Sequence, residues 1–300
     1  MAPLTPIPLS SPPAQLGAQL GAAFEEHGFA VVSEHGIPPE LIAEADKQAR
    51  ALFALPEPVR RSYHQPGGGG ARGYTPFGAE RAKGAQVHDL KEFWHIGRDL
   101  PPGDPLEPFM APNVWPAELP AFHETFTRLF AAFDECGGQI LSAIALHLGL
   151  APDHFDASVE QGNSVLRLLH YPPVEGAAEG AVRAAPHEDI NTITLLLGAE
   201  EAGLELLTRD GRWLAITPPP GALVVNIGDM LQRLTAGRLR STTHRVVNPA
   251  GPAAQRSRYS LPFFLHFRPD FMIVPIGEGG EPPITAHDYL MQRLREINLA

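Results

Sequence analysis

Cysteine is almost absent. Cys136 is the single one in 300 residues, which excludes an intramolecular disulfide framework and a cysteine-based zinc cluster and fits a reducing compartment. On its helical pattern it reads as a small buried apolar residue. Basic charge is scarce too: 23 Lys and Arg face 34 acidic residues, a formal net charge of -11, so binding to nucleic acid or to an anionic membrane surface is not expected. Met1 to Pro8 lack the basic start and continuous apolar run of a secretory signal, and no later segment reads as an uninterrupted apolar span of bilayer length. The expected location is therefore cytoplasmic. No internal repeat and no G-x-y period orders the 29 glycines and 32 prolines, which punctuate many short elements.

The length suits one domain, 1–300, with a mixed helical region over 1–155, a β-core over 156–270 and a closing segment over 271–300. Apolar residues recur at helical spacing from Ala14 to Glu26, Gly28 then leads into a strand at Phe29 to Ser33, and Pro38 and Pro39 open a helix near Leu41 to Leu55. A long helical pattern from Phe122 ends at Gly149. After Phe155 the pattern changes to short apolar runs, among them Val165 to Leu169, Thr192 to Leu197, Ala222 to Val225 and Tyr259 to Phe267. Glycine and proline clusters separate these runs, as in a β-sandwich or barrel. Leu290 to Ile297 reads as a closing amphipathic helix. The glycine-rich stretch around 67–73 is a loop that reads either as a surface excursion or as a lid.

Three polar motifs interrupt the apolar second half: His187-Glu188-Asp189, His244-Arg245-Val246 and Arg258-Tyr259-Ser260. On an extended strand residues i and i+2 face one side, so His187 and Asp189 can share a metal while Glu188 points away. His244 must arrive from another strand. Two histidines and one carboxylate occupy one face of an octahedral metal and leave positions open, an arrangement suited to non-haem Fe(II) and O2 chemistry. Structural metal sites, by contrast, close their shell with protein ligands. Arg258 and Ser260 repeat the i, i+2 relation and form a candidate carboxylate clamp, to which Tyr171 could add a donor. The alternatives for Arg258 and Tyr171 are a structural ion pair and a plain strand-end aromatic.

These residues, with His187 to Leu196, Asn226 to Gln232 and Arg258 to Phe264 in this order, resemble the isopenicillin-N-synthase-like Fe(II)/2-oxoglutarate-dependent dioxygenases. Glu26-His27-Gly28-Phe29 and Glu34-His35-Gly36-Ile37 are similar to that family's leading segment, so the resemblance runs from about Phe24 to Pro269. It implies a mainly β fold with α-helical decoration, a double-stranded β-helix (jelly roll) preceded by a helical region. It also implies Fe(II) held by His187, Asp189 and His244, and 2-oxoglutarate as co-substrate with its distal carboxylate on Arg258 and Ser260, Tyr171 assisting. The implied reaction is oxidative decarboxylation of 2-oxoglutarate to succinate and CO2 coupled to oxidation by O2, most commonly hydroxylation, of a small molecule. Two departures stand out. An asparagine common in plant members shortly before the tyrosine-proline pair is missing from Leu168-Leu169-His170-Tyr171-Pro172, and the R-x-S unit is shared with isopenicillin N synthase, which uses no 2-oxoglutarate. An oxidase without 2-oxoglutarate, an ethylene-forming-like enzyme that fragments 2-oxoglutarate, and a non-catalytic metal or 2-oxoglutarate sensor therefore remain as alternatives.

For the substrate, Arg72, Tyr74, Trp94, His95, Arg98 and Phe264 are the candidate lining residues. If they face the metal, their aromatic and basic character favours a small, anionic or amino-acid-like molecule. The competing reading is that Phe93 and Ile96 are core residues and Arg98 a solvated or paired charge.

Overall fold

A computed structural model describes residues 4–67, 70–79, 88–174, 181–198, 203–277 and 279–296. In chain order the strands and helices are β1 (Ile7–Pro8), α1 (Pro13–His27), β2 (Phe29–Ser33), α2 (Pro39–Ala54), α3 (Glu57–Ser62), β3 (Gly73–Thr75), β4 (Glu92–Gly97), α4 (Phe122–His147) and α5 (Asp156–Val159). The second half carries β5 (Val165–Tyr171), β6 (Ala184–His187), β7 (Ile193–Leu197), β8 (Leu204–Leu207), β9 (Trp213–Ala215), β10 (Leu223–Ile227), α6 (Asp229–Leu234), β11 (His244–Val246), β12 (Arg258–Leu265), β13 (Met272–Ile273), β14 (Ile284–Thr285) and α7 (Ala286–Glu296). Proline at the first turn starts α1 and α2, where no amide donor is needed, and Gly28 ends α1 in the left-handed conformation. The closing helix begins at Ala286, ahead of the Leu290 expected from periodicity. Gly68 and Gly69, in the centre of the suspected lid, lie outside the described residues.

Eight strands form a large sheet in the order β1-β2-β10-β7-β12-β5-β4-β3, and four form a second, β6-β11-β8-β9. The large sheet draws four of its strands from before residue 155, because β4 pairs antiparallel with β5 and β2 with β10. Side-chain alternation decides what each face does. In β2, Ala30 and Val32 join the cluster shared with the helices, while Phe29 and Val31 join the cluster between the sheets. In β12, Leu261, Phe263 and Leu265 face the helices, and Phe263 stacks on Phe133 of α4 with ring centroids 5.2 Å apart. Arg258, Ser260, Pro262 and Phe264 therefore face inward.

Helix α4 departs from one expectation. Among the described residues it is the one helix long and apolar enough, at 26 residues, to cross a membrane by length and composition. Its apolar stripe, including Phe126, Leu129, Phe133 and Ile140, is instead buried against the sheet. The helices thus cover one face of the large sheet and leave the inner face, at the end away from the inter-sheet apolar cluster, to form the site.

Candidate active site

His187 ends β6 and His244 begins β11, and the two stand directly opposite each other in the antiparallel register. Asp189 follows two residues after His187. One ligand atom from each of the three lies within 4.8 Å of the others, and each histidine Nε2 is 3.8 Å from Asp189 Oδ1. The Nδ1 atoms face carbonyl oxygens, Ala185 at 2.8 Å from His187 and Thr242 at 3.1 Å from His244. A carbonyl can only accept, so Nδ1 carries the hydrogen and Nε2 presents its lone pair to the centre. Asp189 Oδ2 accepts from Thr194 Oγ1 at 2.6 Å and Asn226 Nδ2 at 2.8 Å, which leaves Oδ1 for the centre. Glu188 is turned away and accepts from Thr243 Oγ1.

The electrostatics agree with metal-ligand chemistry. Burial alone would push the Asp189 carboxyl up, but His244, His187 and the bonds from Asn226 and Thr194 hold it below its ordinary value. His187 is depressed to about 4, by burial first and by His244 second. Its side chain retains 37% exposure at the mouth of the site. A neutral His187 beside an ionised Asp189 is the pair of protonation states a divalent cation needs.

Arg258 and Tyr171 face each other across the β12–β5 pair. Arg258 is 1% exposed, and its Nε and Nη1 have no hydrogen-bond partner among the described residues. The Tyr171 ring lies 5.5 Å from the Arg258 guanidinium and 5.8 Å from that of Arg183. Ser260 is the next inward residue on β12, opposite Leu169. A buried guanidinium with orphaned N–H groups fits an anionic guest, because a buried charge is otherwise paired. The position two residues before Tyr171 is the apolar Leu169, and His170 points the other way, to Glu92 Oε1 at 2.7 Å and Ser257 Oγ at 3.0 Å. The contact that the plant-type asparagine would offer is therefore missing.

The substrate candidates divide. Gly97, His95 and Phe93 face inward on β4, and the Arg72 guanidinium lies over Gly97. His95 is fully engaged: its Nδ1–H donates to the Gly70 carbonyl at 2.6 Å, and its Nε2 accepts from Arg167 Nε at 2.6 Å. Phe264 faces inward beneath Arg167. Tyr74, Trp94 and Arg98 correct the expectation. Trp94 is fully buried against Tyr63 and Phe122 on the helix side, and Tyr74, its cross-strand partner, donates to Glu92 there. Arg98 pairs with Asp134 of α4 at 2.6 Å and donates to the Gly162 carbonyl.

Two inward residues were not anticipated. Arg167 lies 4.2 Å from the Phe93 ring centroid and 5.2 Å from that of Phe264; its signal was a charged residue in phase with Leu169 and Tyr171 on an apolar strand. His266 is buried in phase with Phe264 and lies within electrostatic reach of Asp189 and Arg72.

Residues 3–118 match the family described as non-haem dioxygenase in morphine synthesis N-terminal, and residues 162–267 match the 2OG-Fe(II) oxygenase superfamily. The chain is 33% identical over 292 residues to the 2-oxoglutarate-Fe(II) type oxidoreductase hxnY of Emericella nidulans, an alignment covering 92% of this chain and 82% of the relative. The chain belongs to the 2OG-Fe(II) oxygenase superfamily. Another oxygenase, the validamycin A dioxygenase of Streptomyces hygroscopicus, is 30% identical over 93% of this chain and 80% of its own length. The fold of a 2OG-Fe(II) oxygenase family protein from Caulobacter crescentus superposes with a TM-score of 0.91 at 51% identity, covering 99% of this chain and 100% of that one. A full-length Neurospora crassa protein solved in complex with alpha-KG and thymine gives a TM-score of 0.86 at 28% identity over 97% and 96% of the chains. This oxygenase is thus an enzyme of jelly-roll fold that uses Fe(II), 2-oxoglutarate and O2.

Proposed function

We propose that His187, Asp189 and His244 hold the Fe(II), and that Arg258, with Ser260 and Tyr171 beside it, holds the distal carboxylate of 2-oxoglutarate. The observation that supports this reading best is the convergence of two imidazole Nε2 atoms on Asp189 Oδ1, with every competing hydrogen turned elsewhere. Fe(II) bound there would supply activation of O2 coupled to oxidative decarboxylation of 2-oxoglutarate to succinate and CO2. The Ala185 and Thr242 carbonyls fix the two imidazole tautomers, and Thr194 and Asn226 fix the carboxylate. Arg258 offers two N–H groups to an anion in a dry setting, where charge-assisted bonds are strong. Phe93, Leu169 and Tyr171 keep water from the inner wall.

The prime substrate is a small molecule, and hydroxylation is the outcome we assign to it. The chain acts as one unit: 1–155 buttresses the site, 156–270 supplies its proposed ligands, and 271–300 closes the fold. Its single cysteine suits a cytoplasmic setting. Purified protein given Fe(II), 2-oxoglutarate and O2 should release succinate, and His187→Ala should abolish the iron-dependent release. Full turnover in that variant would refute the ligand assignment. Ethylene in place of succinate would move the reading to fragmentation of 2-oxoglutarate.

A further inference from the structure

A second buried guanidinium lies on the inner face of the large sheet, well away from Arg258. Arg72 is 4% exposed. Its side chain lies flat on Gly97, so closely that a Cβ at that position would fall 2.0 Å from Cζ and from Nη2. The direction of that Cβ places the guanidinium on the same side of β4 as Phe93 and His95. Asn113 holds this shelf, accepting from the Gly97 amide at 2.7 Å and donating to the Gly97 carbonyl at 2.8 Å.

The register separates the two arginines. Arg258 stands opposite Tyr171 at one end of the β12–β5 pair, whereas Gly97 and Phe264 flank Val165 at the other. Six residues of strand separate Arg258 from Phe264, about 20 Å at roughly 3.3 Å per residue. His266, next in phase after Phe264, lies within electrostatic reach of both Asp189 and Arg72. Arg72 therefore lies toward the Phe264 and His266 end of the inner face, remote from the proposed 2-oxoglutarate clamp.

The hydrogen bonding of Arg72 is asymmetric. Nη1 donates to the Ala71 carbonyl at 2.7 Å, while Nε and Nη2 have no partner among the described residues. Those two nitrogens form one edge of the guanidinium, and their hydrogens run parallel, matching the two oxygens of a carboxylate. Asp99 acts on Arg72 only at longer range, and its own Oδ1 accepts from Asn113 Nδ2 at 2.7 Å. Burial lowers the guanidinium to about 10, so it stays charged at neutral pH. A buried cation with an open fork over a glycine shelf is suited to receive an anion.

We propose that Arg72 anchors a carboxylate of the prime substrate, taken side-on through Nε–H and Nη2–H, with His266 beside it and the Phe264 ring lining the approach. The oxidised carbon then belongs to a small carboxylic acid whose acid group is held apart from that of the co-substrate. This inference rests on the active-site reading above and names the substrate class for it.

The test uses whole protein loaded with Zn(II) and saturated with N-oxalylglycine, an unreactive 2-oxoglutarate analogue, titrated calorimetrically with acetate, benzoate, phenylacetate and the neutral phenylacetamide. At least one carboxylate should bind, and Arg72→Gln should weaken it by at least about tenfold while leaving phenylacetamide and N-oxalylglycine affinities unchanged. Arg72→Lys, which keeps the charge and loses the fork, should fall between. Absence of carboxylate binding to the wild type, or equal affinity in Arg72→Gln or in Arg72→Lys, would overturn the proposal. So would parallel loss of N-oxalylglycine, which would place Arg72 in the co-substrate site. Arg258→Gln separates the two readings: undiminished N-oxalylglycine affinity there would sink the clamp assignment and leave the Arg72 titration to be judged alone.

Discussion

Asp189 divides its two oxygens between two tasks. Oδ1 faces the histidine nitrogens, and Oδ2 takes hydrogen bonds from Thr194 and Asn226. Asn226→Ala leaves one of those bonds and frees the carboxylate to rotate, so Fe(II) affinity should fall by about 10–100-fold, measured by anaerobic titration with a competing chelator. Unchanged affinity would show that Thr194 alone orients the carboxylate. The triad was legible in the sequence because an H-x-D pair on a strand needs only the two-residue period, and the R-x-S pair follows the same rule. The lining of the substrate side was less legible. Every position of β4 is buried, because helices cover one face and the site the other, so hydropathy does not tell the inward His95 from the outward Trp94. His266 lies one residue past the end of β12, where a strand period would not ordinarily be extended.

At the level of elements, the N-terminal helix and strand meet the site at Gly28 and at Phe29, whose ring lies edge-on to His244 at 5.4 Å. Gly28 has φ 69°, and a Cβ there would fall 2.2 Å from Thr242 Oγ1 and 2.6 Å from the Arg240 carbonyl. Thr242 in turn donates to the His27 carbonyl through its hydroxyl and accepts the His244 Nδ1 hydrogen on its own carbonyl. Gly28→Ala should therefore destabilise the fold by about 1–3 kcal/mol and weaken iron binding together with it, read by thermal unfolding and metal titration; weakened stability with intact iron affinity would break the proposed link to His244.

A second join, on the helix side, ties α3, β3, β4 and β5 through Glu92. It pairs with Arg60 at 3.3 Å and with His170 at 2.7 Å, and accepts from Tyr74. Burial would raise this carboxyl, yet His170, Tyr74 and Arg60 hold it below the ordinary glutamate value. Its stabilisation is thus complete above the unfolded-state value and is lost as pH falls through the lower folded value. Glu92→Gln should cost about 3–5 kcal/mol near pH 7, and the gap to wild type in denaturant titrations should narrow in acid. A gap that stays constant with pH would show that the charge of Glu92 is not what holds this junction.

Across the whole molecule, two sheets share an apolar cluster at one end and open into a polar site at the other, while α4 supports the large sheet from behind. The β-rich second half was legible from its short runs, since alternation and glycine punctuation report strands directly. The contribution of β3 and β4 to the same sheet was not, because their pairing with β5 depends on contacts far apart in sequence. Two buried guanidinium groups, Arg258 and Arg72, stand toward opposite ends of the inner face, and His187, Asp189 and His244 converge on one point. The most direct test is an anaerobic titration of the Fe(II)-loaded protein with 2-oxoglutarate, following the visible metal-to-ligand charge-transfer absorption in wild type, His244→Ala and Arg258→Gln. The account predicts a saturable band in the wild type, no band in His244→Ala, and in Arg258→Gln a band that requires at least about tenfold more 2-oxoglutarate. An undiminished band in His244→Ala, or an unchanged 2-oxoglutarate requirement in Arg258→Gln, would contradict it.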